Sequence, residues 1–341
     1  MCARVIAAAA LALAVAGCSD SGQKPVAAVP APAEQHLVYV YGKDPSQAGV
    51  WIADVDGSHG RKLGAGSVAV LTPDGKAVAV RRRDGIYLLS TSGRVLRKLT
   101  SRRLRPQAWS PDGQTLIATR AGQLGVLELD AIDRSSGRVR RLADGSLYGF
   151  DFSPKGDEVV YSRAPTVTGQ GLCGDVFDLY VAKVSGGKPR RLTRDGTEAF
   201  PVWGPSGIAF SNFPGGGTLE DCSAPGIWTM NPDGSNVKPV ITRAPANLAG
   251  DGLYGLQPLA WLDGNHILTG IRSDNGNQGA VLDTKNGKLR RLPDYADEAS
   301  SDGRFVVGSG NDNNGVHLAI VGLDGHRVFA RADACCPDWN R

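Results

Sequence analysis

Apolar and polar positions alternate over short stretches along the whole chain, and the alternation keeps breaking at the same kind of turn. In Ala108 to Arg120, AWSPDGQTLIATR, Leu116 and Ala118 fall on one side of an extended segment and Ile117 and Thr119 on the other. Such a run is too short and too β-branched for a helix. Ahead of it, Pro111 presets φ for the first corner of a turn, Asp112 can bond its own backbone, and Gly113 supplies a positive φ at little cost. The stretch predicts strand, tight turn, strand. Trp109 before the turn is a ring that buries roughly 150–250 Å² when packed.

Imperfect copies of this phrase recur. The turn returns as Thr72-Pro73-Asp74-Gly75, Ser153-Pro154-Lys155-Gly156, Gly204-Pro205-Ser206-Gly207, Leu262-Asp263-Gly264 and Ser301-Asp302-Gly303. Each copy precedes a β-like run, such as Ala77-Val78-Ala79-Val80, and then a second hairpin with its own glycine turn, as at Ser92-Gly93 and Asp233-Gly234. A basic-apolar ending closes the unit: Arg97-Lys98-Leu99, Arg140-Arg141-Leu142, Arg190-Arg191-Leu192, Arg290-Arg291-Leu292. Four strands per unit at a spacing of about 40 residues is the pattern of a β-propeller blade. The first unit, Leu37 to Leu63, lacks an opening strand, whereas Pro337-Asp338-Trp339 at the far end matches Pro201-Val202-Trp203. We expect an all-β propeller closed by a C-terminal strand joining the N-terminal blade. Seven blades are predicted, or six if one divergent unit near the C-terminus is a cap.

The phrases P-x-W-S-P-D-G and R-R-L-T resemble the WD40-like (PD40) repeats of the TolB-type propellers, over about nine tenths of the chain that follows the leader. The resemblance implies the propeller fold. It does not imply one activity, because unrelated functions share this scaffold. No α/β pattern precedes the blades, where the chain departs from TolB-type proteins.

Residues 1–17 have one basic residue, Arg4, and an apolar core from Val5 to Ala16, shorter than the ~20 residues of a membrane-spanning helix. The ending Val15-Ala16-Gly17-Cys18 resembles the lipobox of bacterial lipoproteins, which implies cleavage before Cys18 and lipid on its thiol and new amino group. Residues 18–35, rich in Pro, Ala and polar side chains, read as a flexible tether. Residues 36–341 form the propeller, outside the cytoplasm and held to the bacterial cell membrane, at the cell surface or in the periplasm.

The formal charge is +4, and loss of Arg4 leaves +4 − 1 = +3, dispersed among many acids and bases, so nucleic acid is not expected as a partner. Two tight clusters stand out, Arg81-Arg82-Arg83 and Arg102-Arg103-Leu104-Arg105. They could touch anionic headgroups or an acidic partner, or simply be a solvated edge.

Catalytic signatures are sparse. No Gly-x-Ser-x-Gly elbow occurs, and Gly169-Gln170-Gly171-Leu172-Cys173-Gly174 sits between β patterns without the helix a dinucleotide site needs. The five histidines lack paired spacing for zinc, and the Asp-rich turns lack the other ligands of a calcium loop. We therefore expect no catalytic residue, metal or cofactor. The links on the face opposite the Pro-Asp-Gly turns lengthen in the later units: Ala164 to Val176, Phe213 to Pro225, Thr242 to Gln257, Ser273 to Gln278 and Asn311 to Asn314. Loops on a rigid scaffold carry binding, which nominates Asp251, Tyr254, Asp274, Asn275, Asn277, Asp312, Asn313 and Asn314. Cys173 and Cys222 occupy matching loop positions and predict a disulfide in an oxidising compartment. For Cys335 and Cys336, a vicinal disulfide, a reactive thiol pair and crossed pairing with Cys173 or Cys222 all stay open. The reading is a non-catalytic binding or scaffold module for a partner protein, as in envelope assembly, or a polar small ligand. The alternative is a metal-assisted hydrolase, lactonase or lyase, marked by acidic, amide or His side chains converging at the central channel.

Overall fold

Alternation predicts sheet, and every regular element in the computed structural model, among the described residues, is a β-strand. The described residues are 36–42, 49–54, 57–122, 125–164, 177–213, 225–243, 245, 255–273, 276–300, 305–312 and 315–339, all within the unit Glu34–Arg341. Residues 1–35, where the sequence predicts a leader and tether with Cys18, lie outside them.

In chain order the strands are β1 (His36–Tyr41), β2 (Gly49–Asp54), β3 (Arg61–Ala65), β4 (Val68–Leu71), β5 (Ala77–Arg82), β6 (Gly85–Ser90) and β7 (Val95–Thr100). There follow β8 (Arg105–Trp109), β9 (Thr115–Gly122), β10 (Gly125–Asp133), β11 (Val139–Phe152), β12 (Glu158–Ala164), β13 (Asp178–Lys183) and β14 (Arg190–Arg191). Next come β15 (Glu198–Gly204), β16 (Gly207–Asn212), β17 (Pro225–Met230), β18 (Lys238–Arg243), β19 (Gly255–Trp261), β20 (His266–Ser273), β21 (Gly276–Asp283) and β22 (Leu289–Tyr295). The last are β23 (Glu298–Ala299), β24 (Phe305–Asp312), β25 (Gly315–Gly322), β26 (Arg327–Ala332) and β27 (Ala334–Trp339).

Four antiparallel four-stranded sheets are consecutive in sequence, β4 to β7, β15 to β18, β19 to β22 and β23 to β26. A fifth has the order β27-β1-β2-β3, with Leu37 opposite Trp339 and Val40 opposite Cys335. One sheet departs from the four-strand unit: β8 to β14 form a seven-stranded sheet. Its cause is β11, whose 14 residues serve first as the outer strand of one unit and then as the opening strand of the next. No loop residues separate the two roles. The strand instead bends at Gly145 and Gly149, with φ of 106° and 80°, and its register shifts between Leu147 and Phe150.

The repeated turn satisfies its own polar groups. Ser110 N–H donates to Thr115 O at 2.7 Å and Gly113 N–H to Ser110 O at 2.7 Å, while Thr115 N–H donates to the Ser110 hydroxyl oxygen at 2.9 Å. The same set recurs at Thr72 and Ser153. A turn so closed on itself is scaffold rather than chemistry.

Proline explains the next feature. It cannot donate to a ladder and is tolerated at bulges, and the register slips between Pro106 and Ala108, Ala199 and Val202, and Pro258 and Ala260. Apolar side chains from successive sheets fill the space between them. Ile86, Leu88 and Leu99 of one sheet pack with Trp109, Leu116 and Ile132 of the next. Leu37 and Tyr39 pack with Val307, Leu318 and Ile320.

The basic-apolar endings prove to be fasteners between neighbours. In four of them the first arginine reaches a carbonyl in the second hairpin turn of the following unit. Arg97 Nη1 donates to Arg134 O at 3.2 Å, Arg140 Nη1 to Val184 O at 2.7 Å, and Arg190 to Asp233 O and Pro232 O at 3.1 and 3.0 Å. Arg61 does the same with Thr91 O. The second arginine turns back on its own sheet: Arg141 Nε donates to the fully buried Asp130 at 2.6 Å, and Arg191 pairs with the equally buried Asp178.

Candidate functional site

The opening strand of each unit ends one residue before the self-closed turn, and these strand ends meet around a cavity of about 170 Å³. Side chains from β4, β8, β11, β15, β19, β23 and β27 line it, among them Val70, Gln107, Phe150, Val202 and Leu259. Three carboxylates join them, Asp151, Glu298 and Asp338. They occupy the same place in their units, directly before the residue that caps the strand: Asp151-Phe152, Glu298-Ala299, Asp338-Trp339. Where other units have Ala108-Trp109, Val202-Trp203 and Ala260-Trp261, the position is apolar.

Two of these carboxylates clasp neighbouring opening strands. Asp338 Oδ2 accepts the Leu71 N–H at 2.6 Å. Asp151 Oδ2 accepts the Trp203 N–H at 2.8 Å, and its Oδ1 accepts the Phe152 N–H at 2.9 Å. Charge-assisted bonds of this kind are about twice as strong as neutral ones, so these acids hold backbone in register as well as colouring the cavity.

Sharing Pro73, Ala108, Trp109 and Asp151 with it is a second, larger hollow of about 400 Å³ at the turn end, walled by Trp109, Phe152, Trp203 and Trp261 and by Pro73, Pro111, Pro154 and Pro205. Trp109 is held by its Nε1–H, which donates to Val70 O at 3.4 Å. Trp261 packs against Gly204, where an added Cβ would come within 2.2 Å of the ring. Only glycine admits that ring.

The opposite strand ends carry a different polar group. Glu198 is almost fully buried. Its carboxylate accepts the hydroxyls of Thr193 and Thr197, each at 2.9 Å, and Asn212 Nδ2 donates to Thr197 Oγ1 at 2.9 Å. Burial raises the carboxyl pKa of both Glu198 and Asp178, against the lowering pull of those hydroxyls and of Arg191. Tyr148 stacks edge-on against Phe177 and Phe200, with ring centres at 4.9 and 6.3 Å. Among the described residues, no three His, Cys, Asp or Glu side chains are grouped to hold a metal ion.

Of the residues nominated from sequence, Asp251, Tyr254, Asp274, Asn275, Asn313, Asn314, Cys173 and Cys222 lie outside the described residues. Asn277 and Asp312 sit on strands, opposite Arg272 and Gly315. Cys335 and Cys336 are on β27. Two of the links read as enlarged loops are not loops: β20 and β21 stay paired out to Ser273 and Gly276, and β24 and β25 out to Asp312 and Gly315. The additional residues lengthen the strands. The cavity, by contrast, lies on the Pro-Asp-Gly side, from which the sequence pattern turned attention away. Asp151, Glu298 and Asp338 were missed. The available signal was an acid where sister units place Ala or Val before the capping aromatic.

No protein-family model matches the chain, and no curated protein matches it by sequence. Solved structures do. TolB from Acinetobacter baumannii is 18% identical over 92% of this chain and 69% of that one, with a TM-score of 0.54. An oligogalacturonate lyase in complex with manganese is 17% identical over 86% and 83%, at 0.58. A puromycin hydrolase is 16% identical over 89% and 53%, at 0.59. At these identities the likeness carries architecture alone: the chain has the fold of the TolB-like β-propellers.

Proposed function

We propose that this chain is a seven-bladed propeller closed through β27, anchored outside the cytoplasm by lipid on Cys18, and that it binds a partner protein without catalysing a reaction. The observation that carries the binding role is the mouth built of tryptophan, phenylalanine and proline over a small cavity whose Asp151 and Asp338 are engaged with backbone amides. Rigid aromatic and proline walls favour a segment of polypeptide, since such rings bury much area at little entropic cost. Closure is supported by the β27–β1 ladder and by the core that joins Leu37 and Tyr39 to Leu318 and Ile320. The leader and tether motifs support the anchor. The Asp- and Asn-rich loops opposite, clamped by a Cys173–Cys222 disulfide, would form a second contact face.

A photoreactive amino acid in place of Pro111, in cells, tests the reading. Protein-sized adducts should appear and should fade when Trp261→Ala is added. Equal adducts from a probe at Val95, on the outer strand β7, would count against it. A metal-dependent enzyme is the second reading: Asp151, Glu298 and Asp338 line one cavity, although they are not grouped as a ready-made metal site. Calorimetric titration of manganese decides between them: one stoichiometric site, lost in Glu298→Gln, would move the assignment to the enzyme.

A further inference from the structure

The arginine clusters are the sequence feature that the aromatic mouth leaves unused. Arg81 and Arg82 end β5, and Arg83 with Asp84 forms the turn to β6. Gly85 after that turn lies against the Thr100–Ser101 backbone, so close that a Cβ there would meet Thr100 O at 2.0 Å. Arg102, Arg103 and Arg105 continue directly from it into β8. Two stretches distant in sequence are thus one surface.

Its charge is unbalanced. Asp84 is the acid in this turn, and it is already taken: Lys98 Nζ lies at 2.7 Å and the Tyr87 hydroxyl donates to it at 2.6 Å. Arg82 stacks over the Tyr87 ring at 5.0 Å. Arg83, Arg102, Arg103 and Arg105 are exposed and Arg81 is half-buried. None of these five has a carboxylate partner among the described residues. The other ion pairs of this sheet end, Arg120–Glu128 and Arg141–Glu128, are complete in themselves. Among the basic endings, Arg97, Arg140 and Arg190 bond carbonyls of the next unit, and Arg141 and Arg191 pair with buried acids. Here four exposed arginines and the half-buried Arg81 have no such partner among the described residues.

The patch also has a direction. His36 pairs with Asp54 and Leu37 with Trp339, while Asp338 next to Trp339 bonds Leu71, just before the Thr72-Pro73 turn. The N-terminal segment therefore enters at the turn end. Arg81 pairs with Val68, at the other end of the same sheet. The arginines and the point where the tether joins lie on opposite edges, one strand length of about 20 Å apart.

We infer that this surface, Arg81 to Arg83 with Arg102 to Arg105, docks a carboxylate-rich segment of a partner protein. Guanidinium forks suit carboxylates bidentately, and His36, where the chain comes in from the expected anchor, is at the far edge. The preference for protein over lipid rests on the anchored reading. The arginine surface itself does not.

The test uses the full lipidated protein in nanodiscs of zwitterionic lipid, with a ten-residue polyglutamate peptide as probe. Binding should weaken as salt rises, since exposed charges are screened within roughly 8–10 Å at 0.1–0.15 M. It should fall at least about tenfold in Arg83→Glu/Arg102→Glu/Arg103→Glu. The matched control, Arg138→Glu/Lys155→Glu/Lys188→Glu, makes the same change of net charge in turns at the other edge and should retain affinity, and circular dichroism should show both variants folded. Equal loss in both would reduce the effect to net charge and overturn the inference. Binding of anionic vesicles, with no peptide binding, lost only in the patch variant, would overturn the choice of protein. Loss of mouth-site crosslinking in Trp261→Ala with peptide binding intact would separate this surface from the first.

Discussion

Asp338→Ala removes the acceptor that ties the C-terminal strand to the sheet of β4 to β7. The native bond, Leu71 N–H to Asp338 Oδ2 at 2.6 Å, has an ionised acceptor, a class of bond that contributes about 1.5–3 kcal/mol. Leu71 itself is buried, so losing the carboxylate leaves an amide that must find another partner. The carboxylate lines a cavity of about 170 Å³, space enough for water to replace part of the bond. That places the loss near the middle of the range, about 2 kcal/mol. With an unfolding entropy of about 2.1 cal/mol/K per residue, roughly 300 folded residues convert this into a fall in Tm of about 3 °C. Asp338→Asn keeps an oxygen acceptor and should recover most of it. Calorimetry of the three proteins side by side reads the difference. A Tm for the alanine variant within 1 °C of the parent would refute the clasp.

Asp151→Ala should cost more, about 3 kcal/mol by urea unfolding, because this carboxylate serves two amides, Trp203 and Phe152. Gly137→Ala should lose about 2–3 kcal/mol in the same assay: its φ is 73°, and a Cβ would lie 2.5 Å from Leu99 O of the preceding unit. Burial raises the Asp297 pKa despite the Ser309 amide and hydroxyl at 2.7 and 2.9 Å. With the folded pKa above the unfolded one, its contribution is complete below about pH 4 and is lost as pH rises through the folded value. Melting curves from pH 4 to 7 should therefore show wild type gaining on Asp297→Asn as pH falls, and parallel curves would contradict this. Mass spectrometry of the unreduced protein should find Cys173 joined to Cys222, and Cys173 alkylated without reduction would end the clamp.

The turns were legible because Ser-Pro-Asp-Gly encodes its geometry in four adjacent residues, and the hydroxyl and amide of Ser110 close it locally. What crosses between units was not. Arg97, Arg140 and Arg190 were legible only as the basic start of each closing motif, yet their partners are carbonyls some 40 residues away, and no local pattern announces an acceptor on another sheet. The merger at β11 was hidden for a related reason. Arg140 to Phe152 contains both a closing and an opening motif, and only the bends at Gly145 and Gly149 join them. Chain length misled at Ser273 to Gln278, where additional residues extended a ladder instead of a loop. The acids of the cavity were visible as letters, but Asp338 gains meaning only beside Leu71, 267 positions away.

The pairing of β27 with β1 sets the order in which the molecule can be finished. Most sheets draw all their strands from one continuous stretch and can form as that stretch is made. The sheet containing β1 cannot, because its first strand, β27, follows all the other described strands in the chain. Until Trp339 has emerged, β1 offers an open row of backbone donors and acceptors to any other chain. Docking of β27 is thus the step that covers this edge, and a chain cut before Ala334 would leave the other sheets built yet prone to aggregate.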